Sequence, residues 1–147
     1  MTVVLDFERD PKQLDDMSLH PVEADASDLQ TSLLRQDIHF VVNGIPILDH
    51  APVSLLLLSF WAMEQIRALP VNRHLEFEIP EGSLRLQFEM EGEKVVVREH
   101  YVRTEATAEY RELLRAWEGF AKNAKSYLLT EIPNLANHPE VGSWFSE

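Results

Sequence analysis

The residues of this chain that could do chemistry are histidines and carboxylates. There is no cysteine, so thiol catalysis, disulfide scaffolds, Cys-zinc sites and iron–sulfur clusters are excluded. The six histidines are His20, His39, His50, His74, His100 and His138, and none forms an HExxH or HxH pattern. A metal site needs three or four convergent ligands. The nearest approach to one is His39 with His50, which a hairpin would bring together near Asp37 or Asp49. Without a strand register these do not make a ligand set. They are read as surface or strand-edge histidines, and no metal and no cofactor is expected.

Glu99 and His100 have the composition of an acid–base pair. On a strand, adjacent side chains point to opposite faces, so they cannot share one site without a bulge. His74 and His100 fall on the first and third strands of a meander, roughly 9–10 Å apart, too far for direct coupling. There is no G-x-S-x-G elbow and no P-loop. Gly44, Gly82 and Gly92 are explained by turns, and Gly119 is read as a close helix contact. Glu76 and Glu78 share a strand face, Glu89 faces them from the next strand, and Arg85 and Arg98 are available to pair. A solvated mixed-charge face or a binding face fits this set. A glycosidase acid and base does not, because nothing encloses the pair.

The chain carries 13 Lys and Arg against 25 Asp and Glu, a net charge of -12 over 147 residues. Affinity for nucleic acid phosphates comes from Lys and Arg, so neither nucleic acid nor an anionic membrane surface is an expected partner. A basic protein is the electrostatically favoured one, with solubility alone as the plain alternative. The start, MTVVLDFERD, is acidic and alternating, unlike a signal peptide. The most apolar stretch, 51–63, falls short of the ~20 residues that cross a bilayer. The expected location is therefore cytoplasmic.

These groups must be positioned by elements that the patterning predicts. Residues 2–8 alternate as a strand, and 9–36 read as an acidic, irregular connection broken by Pro11 and Pro21, with one or two helical turns allowed at 28–34. Ile38, Phe40 and Val42 line one face of a strand at 37–43. Asn43-Gly44 then forms a hairpin turn, and 45–49 returns with Pro46 at an edge or bulge. A buried helix is predicted from Pro52 to Leu69, with Trp61 in the core and Pro70 as its stop. A three-stranded meander follows at 74–79, 84–90 and 94–102, turning at Pro80-Glu81-Gly82 and Glu91-Gly92. The last helix spans 108–129 with Thr107 as N-cap, and its buried stripe includes Trp117. The tail, with Trp144 and Phe145, is expected to fold back.

The fold class is therefore α+β, a single compact domain over 1–147: one antiparallel sheet, made of the N-terminal strand, hairpin and meander, covered on one face by two helices. The size, the acidity, the lack of catalytic motifs and the layout of hairpin, helix and meander together resemble the small acidic immunity proteins of bacterial polymorphic toxin systems. That resemblance implies a non-enzymatic module that neutralises a basic toxin, such as a nuclease, by binding it. It carries over no individual residue. The residues expected to meet the partner are Glu76, Glu78 and Glu89 at the centre and Asp15, Asp16, Asp25 and Asp28 at the rim. The alternatives are a subunit or assembly domain of a larger complex, and a small enzyme whose site is scattered in sequence.

Overall fold

The structure, a computed structural model, describes residues 2–14, 34–79, 84–101 and 103–145. Asp15, Asp16, Asp25 and Asp28, the helical turns at 28–33, His20, Pro21 and the Pro80-Glu81-Gly82 turn lie outside the described residues. Alternation at the start gives β1 (Val3–Phe7), with Leu5 and Phe7 buried. It pairs antiparallel with β2 (Arg35–Val42), whose Gln36, Ile38, Phe40 and Val42 point inward. Asn43 and Gly44 take φ of 51° and 82°, the left-handed pair that a tight hairpin requires. They lead into β3 (Ile45–Ser54), the edge of a three-stranded sheet ordered β1-β2-β3. Between β1 and β2, Pro11–Leu14 forms one helical turn, α1.

The predicted helix start at Pro52 is corrected. β3 continues through Pro52 and Val53 to Ser54, and the helical region begins at Leu55. Proline fits the first turn of a helix, but it fits an edge strand equally, because neither position uses its missing N–H. Val53 pairs with Gln36 and is buried. A π-helical segment, Leu57–Ala62, then runs into α2 (Met63–Arg67). Pro70 does not stop the chain there but sits in the first turn of α3 (Leu69–Asn72). Leu55, Leu56, Leu58, Ala62 and Ile66 are fully buried, whereas Trp61, expected in the core, is 36% exposed and lies edge-on to Phe77.

The meander has four strands, not three: β4 (His74–Ile79), β5 (Leu84–Glu91), β6 (Lys94–Glu99) and β7 (Thr104–Glu109). They form a second antiparallel sheet in that order. Ala106 and Ala108 are the inward residues of β7, and helix α4 (Tyr110–Glu131) begins only after Glu109. The α+β class stands, with its strands divided between two sheets where the sequence reading assembles one. Phe40 of β2 stacks on Phe88 of β5 at 6.3 Å, and Trp117 of α4 meets both edge-on at 5.6 and 5.7 Å. The Trp117 indole donates to the Leu58 carbonyl at 2.8 Å. The inner faces of both sheets and the helices thus share one core.

The tail folds back through a 3-10 turn (Pro133–Asn137) and α5 (Gly142–Phe145), with Trp144 against Phe60. A Cβ on Gly142 would come within 2.5 Å of the Ala136 carbonyl oxygen, so the tail depends on glycine there. Gly119 faces open space, so it marks no close helix contact. No helix among the described residues is long and apolar enough to cross a membrane.

Candidate functional site

Each of the two sheets brings charged side chains together on its outer face. On the four-stranded sheet the register is regular. One row across it is Glu76, Gln87, Arg98 and Glu105, and a second begins with Glu78 opposite Arg85. Glu76, Glu78 and Glu89 therefore share one face, as the alternation predicts. Arg85 reaches Glu76 at 3.3 Å and hydrogen-bonds Glu78. Arg98 donates to Glu89 at 2.9 Å and also to Glu105. The Gln87 amide donates to Glu76 at 3.1 Å. Both guanidiniums are held more firmly charged than usual, Arg85 chiefly by its hydrogen bond to Glu78 and Arg98 by those to Glu89 and Glu105. Glu105 joins this face through β7, a strand that the sequence pattern does not predict.

On the three-stranded sheet the register breaks. Ile38 pairs with Ala51 and Phe40 with Leu48, so Asp49 and His50 together oppose His39 alone. This is a β-bulge, and it places His50 at φ 53°, in the left-handed region. Asp37 and His39 lie on the outer side of β2. Just past β1, the Glu8 amide donates to the Asp37 carbonyl at 2.9 Å, which extends the pairing and carries the Glu8 side chain onto the same face.

Three side chains converge there. Glu8 Oε1 lies 3.3 Å from His39 Nε2 and 3.3 Å from His50 Nδ1. The two imidazoles meet edge-to-face with centroids 4.4 Å apart. Asp49 Oδ1 stands 3.7 Å from the remaining nitrogen of each ring, His39 Nδ1 and His50 Nε2. Asp37 Oδ2 lies 4.0 Å from His50 Nδ1. The group is reachable from solvent, with His39 30% and His50 59% exposed at the side chain. One oxygen of Glu8 and one nitrogen of each histidine lie within 4.8 Å of one another, a spacing that can hold a metal ion. The sequence reading brought His39, His50, Asp37 and Asp49 together but left out Glu8.

Elsewhere the chemistry-bearing residues do structural work. Glu99 is fully buried and accepts from the Arg85 and Tyr101 amides at 3.1 and 3.0 Å. His100 points the other way, exposed, with its ring against Tyr101. The two form no acid–base pair. His138 is buried in the tail, its Nδ1 accepting from the Glu140 and Val141 amides at 3.0 and 3.2 Å. Beside the π-helical segment a groove of about 260 Å³ is bordered by Ser59, Glu64, Glu118, Lys122 and Trp144. Comparison with protein-family models, with curated proteins and with solved structures finds no match, so what these faces do is read from their own geometry.

Proposed function

We propose that this chain is a non-enzymatic binding module that takes a basic protein partner on the outer face of its four-stranded sheet. The observation that supports this reading is one regular sheet face on which, among the described residues, the four carboxylates Glu76, Glu78, Glu89 and Glu105 pair with two arginines, Arg85 and Arg98. A hydrogen-bonded ladder fixes charged side chains at set spacings, so carboxylates are in place before a partner's Lys or Arg arrives. The net charge of -12 draws such a partner in. The resemblance to immunity proteins gives the partner its class, a basic toxin such as a nuclease. Carboxylates on the sheet would then occupy the toxin's phosphate-binding cations, in the cytoplasm.

The test is affinity isolation from cells of the chain's own source, using wild type and the triple variant Glu76→Gln, Glu78→Gln, Glu89→Gln. Association rates of the isolated pair are then measured against salt. The reading expects a basic protein on the wild-type chain, an association rate that falls as salt rises, and dissociation, measured alongside, sped at least about tenfold by the triple variant, because these acids sit at the centre of the contact. A partner without basic character, or rates that the variant leaves unchanged, would overturn it.

A further inference from the structure

We infer that Glu8, His39 and His50 form a binding site for one divalent transition-metal ion of the zinc type. The donor set is two imidazole nitrogens and one carboxylate oxygen, the mixture that such ions take in preference to calcium or magnesium. The spacing also fits. Two ligands each about 2.0–2.1 Å from a tetrahedral ion lie about 3.3–3.4 Å apart. Glu8 Oε1 is 3.3 Å from each of the two ring nitrogens that face it.

The surroundings match as well. A ligating imidazole commonly points its other nitrogen at a carboxylate, which fixes the tautomer and makes the ring a better donor. Here the nitrogens turned away from Glu8 both face Asp49 Oδ1, at 3.7 Å each. Asp37 approaches from the Glu8 side, 4.0 Å from His50 Nδ1, where it can join an open fourth position directly or through water. The backbone supplies an independent sign. Bulges recur beside functional sites because they re-aim a side chain. This one holds His50 at φ 53° and sets its ring edge-to-face against that of His39. The site lies on the other sheet from the proposed partner face and does not depend on it.

The test is calorimetric titration of the intact, chelator-treated protein with zinc and, separately, with magnesium. Wild type should bind one zinc per chain and no magnesium at the same concentrations. His39→Ala, Glu8→Gln and His50→Asn should each weaken zinc binding at least about tenfold. Asparagine tolerates the left-handed backbone, so His50→Asn removes the imidazole while keeping the bulge. Asp49→Asn should weaken binding about 10-fold through the rings it orients. His74→Ala, an exposed histidine beside Glu76 on the other sheet, should bind as wild type. No zinc binding by folded wild type, or full binding by folded His50→Asn and Glu8→Gln, would overturn the inference.

Discussion

On the four-stranded sheet every strand keeps its register from end to end, and Glu76, Glu78, Glu89 and Glu105 are met across the ladder by arginine or amide. On the three-stranded sheet, β3 carries an extra residue opposite His39, and two imidazoles close on a single carboxylate. The residue types differ less than the backbones do. A regular ladder sets opposite side chains about 4.5–5.5 Å apart in parallel rows, an arrangement for pairing opposite charges. A bulge breaks the period of two, so Asp49 and His50, adjacent in sequence, both reach His39. Regularity makes a flat charged surface, and a local break makes a convergent set of ligands.

Both faces rest on the same aromatic core, and the largest expected effect comes from removing it. Trp117→Ala should cost about 3–5 kcal/mol, because the indole is fully buried between Phe40 of one sheet and Phe88 of the other. Denaturant unfolding should show one transition shifted to lower concentration. Separate transitions for the two sheets would break the picture of a shared core.

Tyr110→Phe should cost about 0.5–1.5 kcal/mol, since its hydroxyl donates to the Ile66 carbonyl at 2.7 Å. Burial pushes the Tyr110 and Tyr127 phenols above their ordinary value. A group whose pKa is raised on folding contributes stability fully below its unfolded value, near pH 10, and loses that contribution as pH rises through the folded value. Wild type should therefore lose stability above about pH 10, and the double variant Tyr110→Phe, Tyr127→Phe should lose less. Denaturant melts across that range measure the difference, and parallel curves would contradict it.

His50→Gly should raise stability by up to about 1.5 kcal/mol. Relief of a left-handed residue is worth about 1–2 kcal/mol, reduced by the extra chain entropy of glycine, about 0.5–1 kcal/mol. A melt that shows a clear loss instead would mean the bulge is held by the imidazole itself. Arg98→Gln should have the smallest effect, under about 1 kcal/mol and shrinking with salt, because its pairs are partly exposed and screened. A larger, salt-independent loss would make the regular face a stabilising network and not a pre-set surface.

The regular face was legible in the sequence and the bulged one only in part. Strict alternation through HLEFEI and LRLQFEM placed Glu76, Glu78 and Glu89 together without any knowledge of the fold. The same logic failed at TEATAE, where the inward residues are alanines, too small to register as an apolar face. It failed at Pro52 because proline suits two structures. The hairpin signal Asn43-Gly44 brought His39 toward His50. Glu8, however, joins them through the pairing of β1 with β2, between residues far apart in the chain, and no local pattern encodes that. The bulge itself turns on a left-handed histidine, where neither glycine nor asparagine announces a turn.

The claim at the centre of this account is that the bulge, and not acidity in general, makes the convergent site. Two-bond 1H–15N spectra of all six histidine side chains during a zinc titration test it most directly. The account predicts that, among the histidines of the described residues, His39 and His50 alone respond, His39 changing at Nε2 and His50 at Nδ1, the nitrogens that face Glu8. His74 should stay as it was, although it too lies beside a carboxylate, Glu76. If His74 shifted together with His39 and His50, or if none of the six shifted, the bulged sheet would hold no site that the regular one lacks.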